Sequence, residues 1–175
     1  MFTHSGAVVS WIYSIGLVLI LIAVRYISEA LADESIFNNM LIYFILAILS
    51  IIMALTWMST SFMSGPEKAG AFSAISSVIF AVSAMFLKRS YDMIAVKLNV
   101  KTFSTAGLLI LIEALLSIAF IFFIFSGRFL GEAVLLLGAL LSIIQGIISL
   151  AALIFQATAF LSVPDGSSQF SEGMR

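Results

Sequence analysis

The 175-residue chain is 62% hydrophobic and only 10% charged, with a formal net charge of −1. Soluble domains carry about a quarter charged residues, so this composition predicts a membrane protein and excludes a water-covered surface. The near-neutral charge provides no basic face for nucleic acid. Because the chain has no cysteine and one histidine, thiol chemistry, iron–sulfur clusters and multi-histidine metal sites are excluded, and we expect no cofactor.

Five long apolar segments dominate the chain, and none shows the alternating pattern of a strand. A helix needs about 20 apolar residues to cross the hydrocarbon core of a bilayer. We therefore predict an all-α integral membrane bundle of five transmembrane helices, forming one domain over residues 1–163 with a polar cytoplasmic tail over residues 164–175. The predicted spans are residues 6–24, 40–62, 69–87, 103–125 and 133–163.

Polar residues between the spans predict where helices begin and end. Asp33 or Ser35 is a candidate N-cap for the second helix, because a short side-chain oxygen can accept a hydrogen bond from the first helical turn. Asn99 is placed to end the helical segment before the fourth span. Thr102 or Ser104 could then cap the fourth span.

Residues 88–98 differ from the other connections because their apolar side chains recur with helical spacing. Tyr91, Ile94, Ala95 and Leu98 share one face, and most charged residues lie off it. This pattern predicts a short amphipathic helix in the membrane interface between spans 3 and 4, either as a simple linker or as a contact for anionic lipid or a cytoplasmic partner. The candidate contact residues are Lys88, Arg89, Lys97 and Lys101.

The basic residues predict the orientation of the chain. Six of the eight lysines and arginines fall on the side that holds the connection between spans 3 and 4 and the C-terminus. Because cytoplasmic segments carry the excess of basic residues, we predict an outside N-terminus and a cytoplasmic C-terminus in the cell membrane.

Glu113 is the only acidic or basic residue inside any predicted span. A carboxylate at membrane depth costs roughly 2.5–3.5 kcal/mol on insertion scales, so a functional role must be considered. Gln145, Ser149 and Gln156 share one face of the fifth span, and a neutral Glu113 carboxyl could donate to either glutamine. Three interpretations remain open: a helix-to-helix contact, a proton- or cation-handling site, or incidental placement beside a water-filled crevice.

Small residues recur at four-residue spacing in the fifth span, at Gly138, Ser142 and Gly146. Such a stripe permits close approach of helix backbones within a membrane. It indicates either packing inside the five-helix bundle or an oligomer face.

Several segments resemble a mainly archaeal, function-unknown family of small multi-pass membrane proteins, domain of unknown function 996. They are residues 27–29, 33–39, 91–95, 100–103 and 159–164, among which the Tyr-x-x-Ile-Ala segment leading into Val-x-x-Phe is the most specific. The resemblance implies a multi-span helical membrane protein and brings no activity with it.

The sequence contains no Ser-His-Asp set, no metal-ligand spacing and no phosphate-binding glycine loop, so we expect a non-catalytic protein. The leading hypothesis is a structural or accessory subunit that contacts the lipid bilayer and associates with other membrane subunits or with itself. The alternative is a small proton- or cation-linked transporter or channel that uses Glu113.

Overall fold

The structure, a computed structural model, describes the backbone of residues 3–61, 66–130 and 132–163, and individual side chains over residues 15–53, 56, 73–121 and 136–163. Within these ranges all regular structure is α-helical, which confirms the predicted all-α class. The helices are α1 (Thr3–Ala30), α2 (Glu34–Ser61), α3 (Pro66–Leu98), α4 (Lys101–Leu130) and α5 (Glu132–Leu161).

Four helices are long and apolar enough to cross a bilayer, judged over the described side chains. Their candidate spans are Glu34–Met53, Ser73–Leu98, Lys101–Ile121 and Leu136–Leu161. Spans of this kind place the protein in a membrane and bring its outward apolar side chains into contact with lipid. The described side chains of α1 begin at Ile15, so a fifth span in α1 stays a prediction.

Extensive helix packing follows the order of the chain. Among the described residues, α1 packs on α2, α2 on α3, α3 on α4, and α4 on α5. The two terminal helices therefore have one extensively packed neighbour each. Residues from all five helices nevertheless contribute to one buried core.

An aromatic cluster in this core lies where α3 and α5 end and α4 begins. Tyr91, Phe103 and Phe160 meet edge to face, with ring centroids 5.2 to 6.3 Å apart. All three helices are held at this point, because edge-to-face aromatic pairs add about 0.5–1.5 kcal/mol each beyond burial of their area.

The separate amphipathic helix predicted between spans 3 and 4 is not formed. Residues 88–98 are the last three turns of α3, and Tyr91, Ile94 and Ala95 are buried in the protein core. No glycine or proline interrupts α3 after Leu87, so the helix continues. The predicted apolar face is present, but it packs against other helices of the protein instead of lying in the membrane interface.

Two left-handed residues end helices at the same end of the bundle. Ala32 (φ 48°) follows α1 and Asn99 (φ 55°) follows α3. The amide of Asp33 donates to the carbonyl of Ser28 at 3.1 Å, and the amide of Val100 to that of Ala95 at 3.1 Å, as in Schellman caps. The predicted end at Asn99 is confirmed.

Asp33 is the N-cap of α2, one of the two predicted alternatives. Its Oδ1 accepts a 3.0 Å hydrogen bond from the amide of Ser35 and a 2.5 Å bond from the Ser35 hydroxyl. A capping carboxylate also lies favourably at the positive end of the helix dipole. Ser35, the second residue of α2, therefore stabilises this cap through both its amide and its hydroxyl.

The predicted caps of the fourth span are wrong, because α4 begins at Lys101 and takes both residues into its first turn. Ser104 donates instead to Asp92 of α3 at 2.7 Å, and the buried Oγ1 of Thr102 has no hydrogen-bond partner among the described residues. The predicted connection after residue 125 is also shorter, since α4 continues to Leu130. Residues 62–65 and the tail, 164–175, lie outside the described residues.

Candidate functional site

The candidate site lies on the antiparallel seam between α4 and α5. Ser149 donates to Oε1 of Glu113 at 2.7 Å. One turn along each helix, Gln145 Nε2 donates to the Ser117 hydroxyl at 2.8 Å, and that hydroxyl donates to the Glu113 carbonyl at 3.0 Å. The predicted polar face of α5 therefore meets the Glu113 face of α4 in a single register.

Neither glutamine makes the direct contact with Glu113 that the sequence suggested. Gln156 Nε2 instead donates to the hydroxyl of Tyr91 on α3 at 2.6 Å. The reason is register: Ser149 lies directly across from Glu113, so Gln145 reaches Ser117, one turn away. The polar residues of α5 thus join α5 to two different helices.

A cavity of about 440 Å³ adjoins this seam, and every helix contributes to its wall. Small-molecule sites in proteins commonly have volumes of roughly 300–1,000 Å³ and mostly apolar linings. The residues that bear on its chemistry are Gly16 (α1), Tyr43 (α2), Phe80 (α3), Glu113 (α4), Ser149 and Gln156 (α5).

Glu113 is the only charged residue among the described residues of the cavity wall. Its side chain is half-buried, and among the described residues it has no ion-pair partner. Within the same residues only Oε1 accepts a hydrogen bond, from Ser149. Because a low-dielectric site strengthens electrostatic interactions, the remaining acceptor capacity of this carboxyl suits a hydrogen-bond donor or a cation in the cavity.

Two of the four predicted interfacial basic residues have partners inside the chain. Lys88 pairs with Asp92, whose other carboxylate oxygen accepts from Ser104, so this carboxylate links α3 to α4. Lys97 Nζ lies 2.7 Å from Oδ2 of Asp33, linking the end of α3 to the α1–α2 turn. Both residues therefore serve the fold.

Asp33 shows the electrostatic effect of its surroundings. The hydrogen bond from Lys97 is the main cause, and that from the Ser35 hydroxyl the next, of the lowering of the pKa of the Asp33 carboxyl to about 2.

The other two predicted interfacial residues, Arg89 and Lys101, are exposed and form no ion pair within the described part of the chain. Of the four predicted interfacial residues, these two therefore remain available to lipid or to a partner.

The small residues of α5 do not share one packing face. Gly138 is buried on the α4 side, where an added Cβ would lie 3.9 Å from the ring of Phe120. Ser142 and Gly146 are exposed, and a Cβ at Gly146 would meet no atom within 4 Å. Their outward surface is available to lipid or to another protein.

Several residues that shape the site gave no sequence signal of that role. Tyr43 and Phe80 lie in apolar spans, where a core residue, a lipid-facing residue and a cavity-lining residue look alike. Outside the cavity wall, Ser50 of α2 and Ser76 of α3 form a buried reciprocal pair that the sequence also did not indicate, each hydroxyl donating to the other's carbonyl at 3.1 and 3.0 Å.

Residues 12–127 match the profile of a family described as Protein of unknown function (DUF996). The chain belongs to this family. No match was found among curated proteins, and none among solved structures. Membership agrees with the predicted resemblance and assigns no activity.

The extent of the DUF996 match divides the candidate site. Tyr43, Phe80 and Glu113 lie within the matched residues, whereas Ser149 and Gln156 on α5 lie beyond them. The hydrogen bond between Glu113 and Ser149 therefore joins the matched part of the chain to the part that follows it.

Proposed function

We propose that this protein is a non-catalytic multi-pass membrane protein that binds a small amphipathic molecule in the cavity beside Glu113. The observation that carries the proposal is a carboxyl that lines a cavity of about 440 Å³ and has one hydrogen-bond donor from the described protein residues. A carboxyl that served only to join α4 and α5 would be enclosed by the two helices. Here it is also part of the wall shared by all five.

The remaining wall supports the same proposal. Leu17, Ile20, Ile110 and Leu153 line it alongside the few polar groups. An apolar lining with a small number of polar groups is the usual composition of a site that binds organic molecules, because the lining supplies affinity and the polar groups fix orientation. An amphipathic molecule can contact the apolar lining with its apolar portion and the polar groups with its head group.

Saturable binding to the full chain in nanodiscs tests this function, with radiolabelled decylammonium and decanol as probes. Gly16→Leu should fill the cavity, since a Cβ at Gly16 meets no atom within 4 Å and the residue lines the wall. Gly146→Leu is the matched control, because its Cβ is equally free and Gly146 is not part of the wall. We expect Gly16→Leu alone to abolish saturable binding. No saturable binding of either probe, or equal binding by both variants, contradicts the proposal.

The proposed topology has five spans, with α1 as the fifth, an outside N-terminus and a cytoplasmic C-terminus in the cell membrane. It is supported by the basic residues at the end of α3 and the start of α4, which lie at one end of the bundle together with Arg25. The chain has no native cysteine, so Val96→Cys, at a position 82% exposed, can be labelled specifically. Protection of this cysteine from an impermeant maleimide in intact cells is expected, and ready labelling contradicts the orientation.

A role as an accessory subunit is the second candidate, favoured by the outward face of α5. Among the described residues this helix packs extensively only on α4, and Ser142 and Gly146 are exposed on its surface. Small residues at that face allow a neighbouring helix to approach closely. Co-purification of a partner or a second copy in mild detergent, lost in Gly146→Leu, would support it. A free monomer in the native membrane extract would contradict it.

Proton- or cation-linked transport through Glu113 has less support. The described lining residues include no second carboxyl, so a proton that reached Glu113 would find no further acidic group among them. Flux in liposomes that Glu113→Gln abolished would favour transport over binding alone.

A further inference from the structure

We propose that the cavity selects a cationic amphiphile, in which an ammonium group pairs with Glu113 and an apolar body occupies the rest of the space. This inference rests on the proposed binding function and adds the chemical class of the ligand. It follows from the charge, the aromatic residues and the apolar wall of the cavity.

The charge of the wall favours a cation over an anion or a neutral molecule. Among the described residues that line the cavity, Glu113 is the one charged side chain, and none is a lysine, arginine or histidine. A carboxylate that leaves water is costly to the protein unless an opposite charge and hydrogen bonds accompany it. An ammonium group supplies both, whereas an alcohol supplies only the hydrogen bond and an anion adds repulsion.

Aromatic residues on two other helices complement the carboxyl. Tyr43 of α2 and Phe80 of α3 line the same cavity as Glu113. Aromatic rings attract cations through the negative potential of their faces, and the attraction increases when the cation is removed from water. The cavity thus combines a carboxyl and two aromatic side chains, the usual surroundings of a bound organic cation.

The apolar wall and the packing of the terminal helices complete the argument. Leu17 and Ile20 of α1 and Leu153 of α5 line the cavity, yet α1 and α5 each have one extensively packed neighbour. Leu153 is 63% exposed, so the wall continues to the lipid-facing surface. We infer that an amphiphile dissolved in the bilayer reaches Glu113 between α1 and α5.

The experiment compares decylammonium with decanol, which share their chain length and differ in charge, on the full chain in phosphatidylcholine nanodiscs. We expect the amine to bind at least about tenfold more tightly than the alcohol, because charge-assisted hydrogen bonds are the stronger kind. Glu113→Gln should reduce amine affinity to that of the alcohol. Glu34→Gln, an exposed carboxylate outside the cavity wall, should leave both affinities unchanged.

The outcomes separate the two proposals. If both probes bind equally and Gly16→Leu abolishes both, the cavity binds ligands and the selection of a cation is wrong. If neither probe binds, the proposed function itself is wrong. Should Glu113→Gln fail to fold, the comparison of amine and alcohol on the unaltered chain still decides the matter.

A lipid headgroup and a free amine share the ammonium chemistry, and the nanodisc composition distinguishes them. Competition with decylammonium when ethanolamine phospholipid replaces part of the phosphatidylcholine identifies the headgroup as a ligand. Unchanged decylammonium binding identifies a free amphiphilic amine, which the depth of Glu113 in the Lys101–Ile121 span favours.

Discussion

The hydroxyl of Ser149 of α5 lies 2.7 Å from Oε1 of Glu113 of α4, the shorter of the two side-chain hydrogen bonds described across the seam between these helices. The same hydroxyl is 3.0 Å from the carbonyl of Gln145 in its own helix. Because the hydroxyl carries a single hydrogen, the two acceptors share it, and the shorter distance to the carboxyl favours the interhelical bond over the one within α5. Because α5 packs extensively only on α4, this contact helps to determine where the last helix sits.

Replacing Ser149 by alanine should destabilise the bundle by about 1 kcal/mol, since interhelical hydrogen bonds in membranes contribute about 0.6 kcal/mol on average and up to about 1.7. Ser142→Ala is the matched control, because the Ser142 hydroxyl donates only to Ala139 of its own helix, at 2.7 Å. The free energy of unfolding in mixed micelles measures both. Equal losses in the two variants would show that the Glu113 contact contributes nothing to stability.

Alanine at Gly107 should destabilise the α3–α4 contact by about 1–3 kcal/mol through overpacking. A Cβ there would lie 3.0 Å from the backbone Cα of Lys88, which cannot move without shifting α3. Gly146→Ala provides the opposite case, because its Cβ meets nothing within 4 Å. The latter variant should gain about 0.5–1 kcal/mol from helix propensity. A gain of stability at both positions would refute the close approach of α3 and α4.

Glycine at Ala32 should stabilise the protein by about 1 kcal/mol, because its left-handed φ of 48° is costly for a residue with a Cβ. Asn99 has a φ of 55°, but asparagine tolerates this region better, so Asn99→Gly should gain less. Thermal unfolding of the two variants in detergent gives the comparison. The explanation fails if Ala32→Gly lowers the melting temperature.

The Asp33–Lys97 ion pair predicts a pH dependence at acid pH. The pKa of Asp33 is lowered to about 2 in the folded protein, against about 3.9 in an unfolded chain. The ionised form is therefore the one that folding favours. Its contribution is complete above about pH 4 and is lost as the pH falls through about 2.

Melting temperatures measured between about pH 5 and pH 2 test whether stability falls with pH as predicted. The unaltered chain should lose stability more steeply over this interval than Asp33→Asn, which keeps the N-cap of α2 but cannot ionise. Lys97→Met should also flatten the profile, because it removes the main cause of the low pKa. Parallel profiles for the unaltered chain and Asp33→Asn would contradict the linkage.

The fold class and the polar face of α5 could be predicted because hydropathy and helical spacing are local properties of a sequence. Gln145 and Gln156 do turn toward other helices, as their placement on one face of an apolar span indicated. Their partners could not be predicted, because the register between antiparallel helices depends on packing along the whole seam. This is why Ser149 takes the position next to Glu113.

The last turns of α3 show a second limit of local patterns. Tyr91 and Ile94 would have the same helical spacing in a face that packs against lipid headgroups and in one that packs against protein, and here they are buried in protein. The packing of Phe103, at the start of the next helix, and of Phe160, from the distant α5, decides between the two. The cavity could not be predicted either. Phe80 lies in an apolar span, and its neighbours in the sequence would be the same if its side chain faced lipid.

The order of helix packing has a consequence for how this protein is made. Each helix finds its extensive packing partner in the helix that precedes or follows it in the chain. A nascent chain that leaves the ribosome from its N-terminus can therefore add one helix at a time to a growing stack, without waiting for a distant segment. Such local pairing keeps the loop-closure entropy of assembly low. The aromatic contact of Phe160 then becomes a closing step, made when the end of the last helix reaches Tyr91 and Phe103.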